Sequence, residues 1–81
     1  MGDHPGEVDL QWDAVYGASS YEIECMEHVV AGASWQAVKT VTRSRHTVDG
    51  LVTGKQYAFR VRAVGSKGPS PWSDEAVKMA P

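Results

Sequence analysis

Apolar residues fall on every second position through three runs of the chain. These runs are residues 8–12, 21–25 and 57–63. Such alternation is typical of strands that bury one face and leave the other in water. Weaker strand patterns cover residues 34–42, 45–51 and 73–80. No segment keeps a helical period, so the pattern predicts an all-β protein.

Glycine, serine and proline separate these runs where turns are needed. They occur at Gly17, Gly32, Ser44 and Gly54 and through GSKGPSP at residues 65–71. The glycine-interrupted stretch at residues 29–35 is interpreted as a loop. Short strands at this spacing favour an antiparallel sandwich or barrel.

Several of the predicted strands resemble those of the fibronectin type III family. Trp12 occupies the place of the family's core tryptophan, on its second strand. SYEIE at residues 20–24 resembles the third strand, and SWQAVKTV at residues 34–41 resembles the strand that follows. The resemblance covers roughly residues 7–81.

The most specific part of the resemblance is LVTGKQYAFRVRAVGSKGPS at residues 51–70. The family places a tyrosine six residues after a leucine, with a glycine turn between them, as Leu51, Gly54 and Tyr57 do here. Thr53 replaces the usual proline of that turn. The spacing predicts a tyrosine corner, in which the Tyr57 hydroxyl bonds to upstream backbone. The alternative is a tyrosine that only packs in the core.

The resemblance implies an immunoglobulin-like antiparallel β-sandwich of fibronectin type III topology over residues 7–79. Residues 1–6 are expected to be a tag remnant or disordered lead-in, and residues 80–81 the start of an exit linker. Only MGDHPGE precedes Val8, and Pro5 cannot donate to a ladder, so the first strand is expected to be short or missing.

A missing first strand has consequences for the rest of the sandwich. We expect six strands where the family has seven, with the strand at residues 8–14 left at a sheet edge. An uncovered edge predicts weak self-association, or lower stability than in a longer chain. The apolar side chains that the first strand would cover are expected to be partly exposed. The predicted core is Trp12, Tyr21, Ile23, Cys25, Trp35, Leu51, Tyr57, Phe59 and Val61.

Charged residues occupy the outward-facing positions of two predicted strands and form a second pattern. In the family, the third and sixth strands are neighbours, which sets Glu22 and Glu24 across from Arg60 and Arg62. Trp72 follows in PWS, and the combination with RVR is similar to the arginine–tryptophan ladder of cytokine-receptor modules. We therefore expect Trp72 to stack on an arginine. The alternative is that it packs over the sandwich end; WSDEA lacks the receptors' second tryptophan.

Composition narrows the function classes. The 81 residues suit one small domain. A net charge of −2 argues against a nucleic-acid surface, and no apolar run approaches the roughly 18 residues of a membrane span. The single cysteine, Cys25, excludes an internal disulfide, and no asparagine is present to accept a glycan.

Candidate chemistry is sparse. His4, His28 and His46 lack metal-ligand spacing to one another or to Cys25, so no metal site is predicted. No G-x-S-x-G elbow occurs, and the three glutamates near residue 24 are interpreted as a solvated face. We predict no catalytic residue and no cofactor.

The sequence therefore predicts a non-catalytic spacer or scaffold module beside neighbouring domains of a larger protein. The resemblance suggests an extracellular or cell-surface location. The alternative is a module that binds a protein partner through the loops at residues 13–20 and 65–71. The candidate contact residues of those loops are Val15, Tyr16, Ser66, Lys67 and Pro69.

Overall fold

A computed structural model of the protein describes residues 5–28 and 34–81. Within these ranges all regular structure is β-strand. The strands are β1 (Val8–Gln11), β2 (Ala18–Glu27), β3 (Gln36–Val41), β4 (Arg45–Val48), β5 (Gln56–Gly65), β6 (Gly68–Pro69) and β7 (Ala76–Met79). Most of the residues 29–35, predicted to be a loop, lie outside the described residues.

Two antiparallel sheets form the sandwich. Strands β1 and β4 pair with each other, and the second sheet has the order β3-β2-β5, with both β6 and β7 also paired to β5. Strand β6 pairs with Val64 and Gly65, whereas β7 pairs with the opposite end of β5. The described residues thus form seven strands instead of the expected six, because the last strand is interrupted.

The interruption has a physical cause in residues 69–73. Pro69 and Pro71 have no N–H to donate to a ladder. Instead, the hydroxyls of Ser70 and Ser73 accept hydrogen bonds from the N–H groups of β5, at 3.0 Å each. The chain stays attached to β5 without strand geometry.

The pairing of β2 with β5 fixes which side chains face the core. Ile23 lies opposite Val61 and Cys25 opposite Phe59, all on the inner face. This agrees with the predicted parity. The described core comprises Val8, Leu10, Ile23, Cys25, Val48, Tyr57, Phe59 and Ala80, with Trp12, Val38, Val41, Leu51 and Val61 packed against it.

The predicted core needs correction at four residues. Trp12, Leu51 and Val61 are only half-buried, at the margin of the core. Trp35 is also half-buried, and its ring lies against Arg60 instead of in the core. A β-bulge in the pairing of β2 with β3 shifts the register between Ile23 and Glu24, so the alternation of β3 does not continue to Trp35.

Two tyrosines anchor loops to the sandwich. The Tyr57 hydroxyl accepts a hydrogen bond from the Val52 N–H at 2.9 Å, which confirms the predicted tyrosine corner. The Tyr21 hydroxyl likewise accepts from the Val15 N–H at 2.8 Å, a contact that the sequence did not indicate. Each bond satisfies a phenol whose ring is buried.

Both chain ends of the described body are held by backbone hydrogen bonds. Gly6 is buried; its N–H donates to Pro81 at 2.9 Å, and its carbonyl accepts from Leu51 at 3.1 Å. Ala80 is buried and exchanges hydrogen bonds with Gly54 and Lys55. Gly6, Ala80 and Pro81 are thus hydrogen-bonded to the rest of the sandwich, and the domain boundaries stay a prediction.

Strand β1 is shorter than the predicted strand at residues 8–14, and it pairs only with β4 among the described residues. Its own apolar side chains, Val8 and Leu10, are buried in the core, and the expected exposure of the side chains that a first strand would cover stays a prediction. Self-association through this edge stays a prediction.

Burial predicts how the core responds to truncation. Phe59 is 1% exposed, so Phe59→Ala should lower the free energy of unfolding by about 3–5 kcal/mol through the cavity it leaves. Leu51→Ala should cost less, because its side chain is half-buried. Urea denaturation of both variants measures the difference. An equal loss in the two would contradict the described core.

Candidate functional site

The outer face of the larger sheet carries a stack of aromatic rings and guanidinium groups. The Arg60 guanidinium lies 4.2 Å from the centre of the Trp35 ring and 4.4 Å from that of Trp72. Arg62 lies 4.3 Å from the Trp72 ring. The order Trp35, Arg60, Trp72, Arg62 is called the Arg–Trp ladder below. It confirms the predicted stacking of Trp72.

Carboxylates of β2 orient the two arginines. Glu24 accepts hydrogen bonds from Nε of Arg60 at 2.9 Å and from its Nη2, and Glu22 accepts from Nε of Arg62. These residues face each other in the β2–β5 register, as predicted. Because each guanidinium plane is fixed by a carboxylate, its flat faces stay available to the indoles.

The connection between β6 and β7 holds Trp72 in the ladder. On one side, Ser70 donates its N–H to the Ala63 carbonyl, and its hydroxyl accepts the Ala63 N–H. On the other side, Ser73 makes the same two bonds to Val61. Trp72 lies between these two clamps, so its ring is held over β5.

The two loops predicted to bind a partner are brought together at one end of the sandwich. A Cβ at Gly65 would lie 2.9 Å from the Gly17 carbonyl, so the loops are in backbone contact there. Tyr16 is fully exposed and Val15 is 50% exposed. The other predicted contact residues, Ser66, Lys67 and Pro69, are exposed as well.

No group of three metal-ligating side chains occurs within residues 5–28 and 34–81. His4 lies outside these ranges. Burial, and secondarily the charge of Glu27, raises the pKa of the Cys25 thiol from its ordinary 9.0 to about 11. A thiol of this kind is a weak nucleophile at neutral pH. No helix of the described residues is long and apolar enough to cross a membrane.

The fold and its tyrosine corner agree with a comparison against protein families. The family model described as "Fibronectin type III domain" matches residues 4–78. This chain belongs to the fibronectin type III family. Its all-β sandwich is also the fold of solved fibronectin type III domains.

Curated relatives contain this domain as a part of longer chains. A titin homolog of Caenorhabditis elegans is 40% identical over 70 residues, which are 83% of this chain and 0% of that protein to the nearest per cent. The tail tube protein gp17.1* of Bacillus phage SPP1 is 36% identical over 74 residues, 91% of this chain and 26% of that protein. The chain thus spans about a quarter or less of each of these two relatives.

Solved structures share this fold. The twitchin kinase region from C. elegans matches with a TM-score of 0.83 and 30% identity, over 96% of this chain and 14% of that one. An Fn3-like protein from Clostridium thermocellum matches with a TM-score of 0.79 and 28% identity, over 95% of this chain and 79% of that one.

These relatives overturn the predicted extracellular or cell-surface location. Human myomesin-2 is 37% identical over 85% of this chain, and chicken striated-muscle M-protein is 35% identical over 85%. Together with the titin homolog they are intracellular sarcomeric proteins. The predicted location is therefore wrong, because membership of the family does not imply that a module is extracellular.

The ladder predicts energetic coupling between its members. Arg60→Lys keeps the charge beside Glu24 but removes the flat guanidinium, and Trp72→Ala removes the ring. In a double-mutant cycle, we expect a coupling of about 0.5–2 kcal/mol, the range of a cation–π contact. Urea denaturation supplies the four free energies. As a control, Lys67→Ala with Trp72→Ala should be additive, and an additive Arg60 cycle would contradict the ladder.

The Cys25 thiol predicts a loss of stability at alkaline pH. Its folded pKa of about 11 lies above the ordinary 9.0, so between these values the unfolded chain releases the proton first. The free energy of unfolding should therefore fall as pH rises from 9 to 11. The Cys25→Ala variant should fall less steeply, and parallel curves for the two proteins would contradict the burial of the thiol.

Proposed function

We propose that this module is a non-catalytic spacer that holds neighbouring domains of a longer chain at a fixed distance and orientation. The proposal is supported by the contacts that attach residues 80–81 to the sandwich. Pro81 accepts hydrogen bonds from the Gly6 N–H and from the Thr53 hydroxyl, and Ala80 is buried. Whatever follows Pro81 leaves from a fixed point on the sandwich.

The outer-face interactions support the same proposal. Exposed pairs each contribute little, about 0.2–1 kcal/mol. The Arg–Trp ladder and its two carboxylates instead specify the register of β5 against β2, since a slip by one residue would invert the side chains. A body with principal extents of 38 × 29 × 17 Å can then act as a rigid unit of defined length.

A second candidate function is binding of a protein partner through the two adjoining loops. It is favoured by the full exposure of Tyr16 beside Val15. Tyrosine is a frequent anchor of interfaces. The Val15 N–H bond to Tyr21 holds this loop in place, which lowers the entropy lost on binding.

Replacement of the module within a longer chain separates the two functions. The native module is exchanged for a fibronectin type III domain with unrelated loops, or for a Gly/Ser linker of equal residue number. A spacer predicts that the rigid exchange keeps the end-to-end distance between labels on the flanking domains, and that the flexible linker broadens it. Paired-label distance measurements and the activity of the flanking domains are the readouts.

The double variant Val15→Ser with Tyr16→Ser is the matched control. It should leave stability and both readouts unchanged if the module is a spacer. Loss of function in this variant and in the rigid exchange, with distances preserved, would favour the loop-binding function and contradict the spacer.

A further inference from the structure

Positive charge is concentrated at one edge of the sandwich. From His28 to Val48 the sequence contains no carboxylate, but it contains Lys39, Arg43 and Arg45. All three are exposed. The ion pairs described for the chain join other cations, Lys55, Arg60 and Arg62, to the glutamates of β2. The chain is acidic overall, so this edge stands apart from the rest of the surface.

The three cations lie around one open groove, which a fourth cation, Lys78 of β7, also lines together with Val41, Leu10 and His46. Two carboxylates, Glu7 and Asp9, share the groove, and Asp9 accepts a hydrogen bond from Thr47 at 2.6 Å. Residues of β1, β3, β4 and β7 line the groove, and Leu10, Val41 and Met79 make part of its wall apolar.

Strand β3 presents backbone N–H and C=O groups beside this groove. Among the described residues it pairs only with β2, so its outer side is an open sheet edge. Alternate residues of an edge strand direct their N–H and C=O groups away from the sheet. Lys39 lies opposite Ile23 and therefore points to the groove side of the sheet.

We propose that this edge binds an extended acidic segment of a protein partner, which adds to β3 as a further strand. The main chain of the segment would pair with the outer groups of β3, and its alternate carboxylates would meet Lys39, Arg43 and Arg45. Strand addition of this kind takes affinity from main-chain bonds and specificity from alternate side chains. This surface is distinct from the loops at residues 13–20 and 65–71.

Charge and shape favour a peptide over nucleic acid at this surface. Binding to a phosphate backbone depends on a continuous track of cations. Here the groove includes Glu7 and Asp9, and the protein has a net charge of −2. An extended peptide needs only local charge matching together with the open strand.

The test is a titration of the ¹⁵N-labelled protein with a capped peptide in which glutamate alternates with valine and threonine. We expect saturable amide shifts and slowed hydrogen exchange confined to β3 and the turn before β4. The double variant Lys39→Glu with Arg43→Glu should bind at least about tenfold more weakly, a difference of about 1.4 kcal/mol. The matched control, Lys67→Glu at the far loop, should bind as the native protein does.

Further arms separate strand addition from simple charge attraction. The same peptide with alternate backbone nitrogens methylated keeps its carboxylates but cannot complete the ladder, and it should not bind. The neutral double variant Lys39→Gln with Arg43→Gln provides a second measurement if the glutamate variant fails to fold. Absence of saturable binding, equal binding of the methylated peptide, or tighter binding of an oligothymidine would each overturn the proposal.

Discussion

The pairing of β2 with β5 is the constraint on which the remaining structure depends. It places Ile23 and Phe59 in the core, and in the same register it places Glu22 and Glu24 against the two arginines. Because the side chains alternate, one register satisfies both faces at once. The indoles then stack on guanidinium groups whose positions this pairing has already set.

Much of the fold could be predicted because its strongest signals are local in sequence. Alternation located β2 and β5, and the spacing of Leu51, Gly54 and Tyr57 identified the tyrosine corner. The order of the sheets came from the family resemblance and not from the alternation itself. Half of the ladder, the stacking of Trp72 on the arginines of β5, could likewise be predicted from the RVR and PWS motifs.

The errors arose where a residue's environment depends on distant contacts. Trp35 joins the ladder because a β-bulge changes the register of β3, and no glycine or other local signal marks that bulge. Ala80 was expected to begin an exit linker. In the structure it is buried, and its backbone is hydrogen-bonded to Gly54 and Lys55. The prediction of the cellular location failed for another reason. A sandwich stabilised by packing alone is stable in reducing and oxidising compartments, so the fold does not indicate the compartment.

The interrupted last strand makes the two borders of the larger sheet unequal. On the β5 side, the prolines and the serine hydroxyls leave only two short stretches of ladder, so a long incoming strand has no continuous row of backbone groups to follow. On the opposite side, β3 is uninterrupted over residues 36–41 apart from its bulge. Growth of this sheet into a fibre requires two competent borders. Having only one, the larger sheet can take up a further strand at β3 but does not extend from its other border.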